Sequence, residues 1–557
     1  MRRARFLATL ATLALLGGVP RRLRAAVFTP QGHGAVGDGL TLDTAAIQAA
    51  IDQAHASGGG RVVLAPGRYL TGSLTLRSRV TLHLERGATL LGSPRIADYR
   101  RGAKWPALLI AVDAEAIGVT GEGVIDGQGK LVAADSVRIF ESGNFVEFFP
   151  GVAPGQTLNL GGDVTTGRVI DPHALQREGR LAAIVAPRSR DDLATWRVDE
   201  SVRPQLVEFS HCRGVEVSGV TLLNAANWVQ AYRRCEDLVI KGIRVDSTTY
   251  WNNDGLDIVN CRRVLIADCD INAADDGICL KSEPNAEGQG CEDMVIERCR
   301  LRTSASAVKF GTASHHAFRR ITIRDIDVRD TYRSAVALET VDGAVLEDID
   351  VRRIRARNVG NAFFLCLGHR NAAKPPGVLR NVLLADFDVQ VSATKPDAGY
   401  PHEGPPPRVV ANLHPSSIMG LPGHPVENVV LRNLRISHGG MAERSRAEVP
   451  LEDLARIPEN RAGYPEFNMF GELPAWALFV RDAVKVRLET SAFTLTAPDF
   501  RSAIVTQRVD GLTLDQVTLG AGGGEPIIAL AQTSGADPRS VSGPAQAAEL
   551  VRILPDP

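Results

Sequence analysis

The feature that most constrains this chain is an eleven-residue phrase that returns along its middle. Cys212-Arg-Gly-Val-Glu-Val-Ser-Gly-Val-Thr-Leu222 resembles Cys235-Glu-Asp-Leu-Val-Ile-Lys-Gly-Ile-Arg-Val245 in its apolar positions. The phrase comes back at 261–271, 291–301, 318–328, 341–351, 379–389 and 426–436, and its first six starts lie 23, 26, 30, 27 and 23 residues apart. A period in this range means stacked supersecondary units, each too small to bury its apolar face alone. Alternating apolar residues within the phrase specify strands, not helices. The units are too short for a crossover containing a substantial helix. Successive units must therefore pair as parallel strands of neighbouring coils, about 4.8 Å apart. The predicted fold class is all-β: a single-stranded right-handed parallel β-helix with long loop insertions. The competing architecture is a β-propeller, ranked below it because propeller blades need about 40 residues.

Composition fits many short strands joined by turns: Gly is common (53) and aromatics are scarce (5%). The balance of 63 Lys+Arg against 64 Asp+Glu argues against nucleic acid as a partner. Seven of the eight cysteines lie between Cys212 and Cys299, several at the same place in the repeat, and read as buried small hydrophobes. No CxxC or Cys/His spacing suggests zinc, and no metal or cofactor is expected.

Arg2, Arg3 and Arg5 followed by the apolar Phe6 to Val19 and an approximate small-residue site at Leu23-Arg24-Ala25 read as a secretion signal over 1–26. The paired arginines raise a twin-arginine route. The apolar run is shorter than the roughly 20 residues a membrane span needs. A monomer, periplasmic or secreted and without a membrane span, is the expectation. Residues 27–130 are expected to form the first coils, with a helix over Thr44–His55 that ends at Gly58-Gly59-Gly60. An irregular insertion is expected over 131–203. The main β-helix then runs over 204–525, interrupted by loops at 391–425 and 437–475, with a cap or tail at 526–557. Long loops on a rigid solenoid shape binding clefts.

A second run in each coil also aligns. Asp254-Gly-Leu-Asp-Ile258 lies over Asp276-Gly-Ile-Cys-Leu280, then Ser306 to Phe310 and Ser334 to Leu338, with Asn227 to Ala231 before them. The stack at the turn reads Asn227, Asp254, Asp276, Ser306, Ser334. Alternation sends Gln230, Asp257, Cys279, Lys309 and Ala337 outward, followed by Lys281, Gly311 and Glu339. Asp254, Asp275 and Asp276 then converge at one edge of a groove, where crowding should raise at least one carboxyl pKa. Asp275 and Asp276 can share that edge only at a bend, which Gly277 favours. Asn-Asp-Gly and Asp-Asp-Gly are also ordinary turn sequences. Their repetition one coil apart, and the flanking Asn252-Asn253, favour a site. Lys281 reads equally as a satisfied structural lysine, and Lys309 as a surface one.

Asn252-Asn253-Asp254-Gly255-Leu256-Asp257, followed by Asp275-Asp276-Gly277-Ile278-Cys279-Leu280-Lys281-Ser282, resembles the signature of family 28 glycoside hydrolases, the polygalacturonases and rhamnogalacturonases. The resemblance covers roughly 28–440 apart from the insertions. It implies a β-helix of the pectin-lyase-like kind and metal-independent hydrolysis with inversion of a polysaccharide or oligosaccharide. It implies Asp275 as general acid, with Asp254 and Asp276 holding and activating the water. Candidate substrate contacts are Asn252, Asp257, Lys281, Ser306, Lys309, Glu339 and Arg370. Two departures stand out. The family's Gly-His-Gly falls near Ala305-Ser306-Ala307, and its carboxylate-gripping Arg-Ile-Lys falls on Ala337-Leu338-Glu339. Lys309, Arg333 or His369-Arg370 are candidate replacements for the missing clamp, or Glu339 accepts hydroxyls of a neutral sugar. Two other functions compete with the hydrolase. One is a β-helical polysaccharide lyase with Lys309 as base. The other is a non-catalytic carbohydrate-binding β-helix.

Overall fold

The alternation read from the sequence becomes three parallel ladders wound around one core. The computed structural model describes residues 26–160, 169–186, 198–394, 396, 412–440, 451–520, 522, 524, 526–545 and 549–555. The secretion signal expected over 1–26 lies outside these residues except for Ala26. One ladder stacks Arg213–Ser218, Glu236–Lys241, Arg262–Ala267 and the first half of Cys291–Thr303. A second stacks Thr221–Leu223, Arg244–Ser247 and Asp270–Ala273. The third carries Gln205–Ser210, Gln230–Arg233, Leu256–Val259, Ile278–Ser282 and Val308–Ser314. The chain is a right-handed parallel β-helix, and the parallel pairing excludes a propeller. Pairing continues through Ile528–Pro538 to Val551–Leu554.

Apolar side chains stack in columns through the core, as in Ile258, Leu280, Phe310, Leu338, Leu365 and Ile418. Cys212, Cys235, Cys261 and Cys291 form one such column and are continued by Phe318 and Leu346. All eight cysteines are buried free thiols, packing as small apolar groups. The helix Thr44–Ala56 buries Ile47, Ala50, Ile51 and Ala54 against the first coils. Near the start of the first-ladder strands, single residues adopt left-handed backbone in register: Asp237, Arg263, Asp293 and Arg320. Short polar side chains tolerate that conformation. The arginines there are held by their neighbours in the column, Arg263 to Asp237 at 2.6 Å and Arg320 to Asp293 at 2.6 Å.

Two expected alignments shift. Phe318 pairs with Leu346, so the repeat following 318–328 begins at Leu346, five residues after Val341. Val341 instead sits in the turn, where its carbonyl accepts from the Arg370 N–H. Asp257 pairs with Ala231 rather than Gln230, so Trp228, not Asn227, stacks on Asp254. A one-residue slip exchanges the two faces of a strand. Gln230 accordingly points inward, where its Oε1 accepts from the Tyr232 hydroxyl at 2.8 Å.

Two satellite cores flank the third ladder. The insertion helix Gly129–Ser142 packs with Phe148, Leu181 and Val202 against Ala226 and Tyr250. On later coils Leu454, Ile457, Phe467 and Phe470 cover Phe364, Met419 and Phe479 on the outer face of the sheet. Removing Leu280 to Ala should open a cavity in the stacked column and lower unfolding stability by about 2–5 kcal/mol. A urea titration showing a loss below about 1 kcal/mol would contradict this packing.

Candidate active site

The Asn-Asp-Gly and Asp-Asp-Gly turns are built by close approach of backbones. A Cβ on Gly255 would stand 2.6 Å from the Gly277 carbonyl oxygen, and one on Gly277 would stand 2.7 Å from that of Ala307. Neither glycine has positive φ, so it is room for the next coil that both positions require. The Asn253 amide donates to the Ala225 and Asn227 carbonyls, and its oxygen accepts from Ser247 and the Tyr250 N–H. This ties the turn to the coil before it. Asp275 and Asp276 lie at a bend, as expected, and the Asp275 N–H donates to the Asn253 carbonyl at 3.2 Å.

Asp254, Asp257 and Asp276 are buried, while Asp275 is half-buried at the surface. The Lys281 ammonium joins Asp254 at 2.9 Å and bonds Asp257 as well. Asp254, Asp257 and Cys279 bring ligand atoms within 4.8 Å of one another, a set that could take a metal ion. Here the Lys281 ammonium supplies the positive charge to that set. Asp276 accepts the Ser306 N–H at 3.1 Å, and its other oxygen lies 3.4 Å from the Lys309 ammonium.

These surroundings drive the carboxyls apart. Burial, then the charges of Asp254 and Asp276, push Asp275 well above the ordinary range. Burial pushes Asp276 upward too, but Lys309, Lys281 and Arg333 outweigh it and hold the carboxyl below its usual value. Burial and the Asp257 charge raise Asp254 against the pull of Lys281. Burial raises Asp257 to about 6. Neighbouring carboxylates overcome desolvation to hold Lys281 and Lys309 well above the ordinary lysine range. Titratable groups pushed in opposite directions beside one another are the pattern of acid/base sites.

Several expected contacts have other partners. Asn252 is buried under the insertion, donating to Glu200 and Asn227 and accepting from Arg203 at 2.8 Å. Arg370 spends its fork on Asp342, at 2.9 and 2.6 Å. Lys309, read as a possible surface lysine, is 0% exposed. Arg333 pairs with Glu466. Glu339 is buried, with no hydrogen-bond partner for its Oε2 among the described residues. Ser306 is buried and reaches Asp276 through its backbone.

The structure adds residues that the repeat does not indicate. Trp228 lies beneath the Lys281 ammonium, 4.1 Å from its ring centre, and meets Trp105 edge-on at 4.7 Å. Beside them Glu283 bridges Lys104 at 2.8 Å and Arg233 at 2.7 Å. From the covering loop come Tyr464 and Glu466, each 3.5 Å from the Lys309 ammonium. Trp228 was legible but for the one-residue slip. Tyr464 and Glu466 sit in a loop without a repeat, and no local pattern marks them.

The fold and this carboxylate cluster define a β-helical protein with a buried acid/base-type cluster on one face. The sequence model described as "Glycosyl hydrolases family 28" matches residues 156–294, which include the three aspartates. A probable polygalacturonase of Vitis vinifera is 26% identical over 358 residues, covering 60% of this chain and 61% of that protein. An exo-poly-alpha-D-galacturonosidase of Dickeya chrysanthemi is 30% identical over 263 residues, covering 44% and 40%. The chain thus spans about half the length of these relatives. The crystal structure of a hyperthermoactive exopolygalacturonase from Thermotoga maritima shares the fold, with a TM-score of 0.54 at 21% identity over 76% of this chain and 88% of that one. By these matches part of the chain, residues 156–294, is similar to glycosyl hydrolases family 28.

Because Lys281 neutralises two buried carboxylates, Lys281→Met should cost about 3–5 kcal/mol of stability at neutral pH. The loss should shrink as pH falls, because Asp254 and Asp257 take up protons and no longer need the cation. Urea titrations at pH 7 and at pH 4 giving the same loss would contradict the pairing.

Proposed function

We propose that the protein is an exported glycoside hydrolase that cleaves glycosidic bonds of a pectin-like polysaccharide or oligosaccharide with inversion. The observation that carries this reading is the opposite electrostatic treatment of two adjacent carboxyls, Asp275 driven up and Asp276 held down. A protonated, half-exposed Asp275 donates its proton to the departing glycosidic oxygen. The ionised Asp276 takes a proton from water as it attacks the opposite face of the sugar. Asp254, hydrogen-bonded to Lys281, positions that water. The names of the similar proteins support a pectic substrate, and the basic and apolar start of the chain supports export. The loop over the later coils supports attack at chain ends, since it covers the sheet surface along which a long polymer would lie.

A lyase that uses Lys309 as base fits less well. A base must shed its proton near the working pH, whereas Asp276 and Glu466 hold Lys309 protonated.

Asp275→Asn and Asp254→Asn should each lower kcat on a pectic substrate by at least about 100-fold. Full activity in both variants would end the proposal. Proton NMR of early products should show the inverted anomer, and ultraviolet-absorbing unsaturated products would point to a lyase instead. The native rate should fall as pH rises through the raised Asp275 pKa and fall again as pH drops through the depressed Asp276 pKa. Lys309→Met removes the largest charge depressing Asp276, so the acid limb of the kcat profile should move to higher pH. An unmoved acid limb would contradict that role.

A further inference from the structure

The loop that covers the later coils brings one carboxylate to the edge of the acid cluster. Leu454, Ile457, Phe467 and Phe470 dock this loop on the sheet, and Glu466 stands next to Phe467 in the chain. Glu466 pairs with Arg333, and its Oε1 lies 3.5 Å from the Lys309 ammonium. Both cations also belong to the surroundings of the paired aspartates. The Lys309 ammonium is 3.4 Å from Asp276. Arg333 follows the aspartates in the stack of turns. Its N–H donates to the Ala305 carbonyl at 3.0 Å, and the Gly277 N–H donates to the neighbouring Ser306 carbonyl at 2.9 Å. The Thr303 hydroxyl of that middle turn donates to the Asp275 carbonyl. Glu466 thus reaches, from a loop almost 200 residues further along the chain, the two cations nearest the Asp275-Asp276 turn.

We propose that Glu466 is a positioning residue for the reaction: by binding Arg333 and Lys309 it holds both cations off Asp275, so that Asp275 keeps the proton it delivers to the departing oxygen. The inference rests on the glycosidase reading above and adds a group to its machinery. Burial and the charges of Asp254, from the preceding coil, and Asp276 push the Asp275 carboxyl up, while Arg333 and Lys309 pull it down. Each of these cations is divided among several groups. Lys309 faces Asp276, Glu466, Glu339 and the Tyr464 hydroxyl, and Arg333 faces Glu466 and the two aspartates. Lys281 is taken by Asp254 and Asp257. Arg461, on the same loop, is exposed and adds no ion pair to Glu466 among the described residues. Without the Glu466 charge, Arg333 and Lys309 act more fully on Asp275 and favour its ionised form. An ionised Asp275 has no proton to give. Glu339 is the acid placed to take over the lost charge, because burial holds its carboxyl up against the pull of Lys309.

The test compares the full-length native protein with Glu466→Gln, Glu466→Asp and the double variant Glu339→Gln/Glu466→Gln. Removing the Glu466 charge lowers the Asp275 pKa, so the basic limb of kcat against pH on a pectic substrate should move to lower pH in Glu466→Gln. A shift of at least about one unit is expected for a unit charge several ångströms away at an effective dielectric constant of about 20. On the acid side of the optimum kcat should be kept, and KM should not move. Glu466→Asp should bring the limb back toward native, and the double variant should show at least the shift of Glu466→Gln. A loss of kcat uniform across pH, with the limbs unmoved, would make Glu466 a structural prop and overturn the proposal. NMR of the aspartate carboxyl carbons reads the same shift without turnover, with the Asp275 signal identified by its loss in Asp275→Asn. If the native protein cleaves no glycan while Asp275 titrates lower in Glu466→Gln than in native protein, the hydrolase reading falls and the role of Glu466 at Asp275 stands. Cleavage by the native protein with the Asp275 titration unmoved by Glu466→Gln gives the reverse.

Discussion

In-register pairing of one coil on the next is the interaction on which the rest of this structure depends. It sets Asp254 over Asp276 because Leu256 pairs with Ile278 and Ile258 with Leu280. Buried columns such as Ile258, Leu280 and Phe310 make any slip costly, since a shift of one residue would turn an apolar face outward. The carboxylates are thus brought together by a core they do not belong to. The glycines that follow them serve the same end, leaving room for the adjacent backbone where the two turns pass closest.

Crowding so many acids requires compensation. Lys281 and Lys309 each reach two carboxylates from within the sheet surface, and Glu283 draws Lys104 and Arg233 together next to the tryptophans. Removing one member of such a buried set leaves an unmatched charge, so the members depend on one another. The same arrangement gives Asp275 and Asp276 opposite proton affinities although they are neighbours in sequence. Each accepts one backbone N–H, but Asp275 faces other carboxylates from the half-buried rim, whereas Asp276 lies beside the Lys309 ammonium.

Much of this was legible in the chain. The spacing of the repeats gave strands and coils, and superposing the second runs found the three aspartates, Lys281, Lys309 and Glu339 on the outward face. Errors arose where the repeat is weakest. Asn227 and Trp228 differ by one position in a turn whose polar and aromatic residues give no apolar register, and Val341 imitates the first residue of a repeat while serving a turn. Asn252 and Arg370 have the right residue types, but Arg203 and Asp342 claim them. A sequence lists a side chain's hydrogen-bonding capacity without saying which neighbour takes it.

By itself, the sequence determined the β-helix, the outward-facing residues of the coils from Asp254 onward, and the convergence of Asp254, Asp275 and Asp276. These follow from local alternation and a fixed period, and both are properties of a one-dimensional string. Only the tertiary structure decided the protonation of those acids and the partners of the nearby cations. Tyr464 and Glu466 reach Lys309 across more than 150 residues of sequence, carried by a loop whose own apolar residues dock on later coils. Charge interactions depend on distance and burial in three dimensions, and no periodicity records contacts made by a loop folded back onto the sheet.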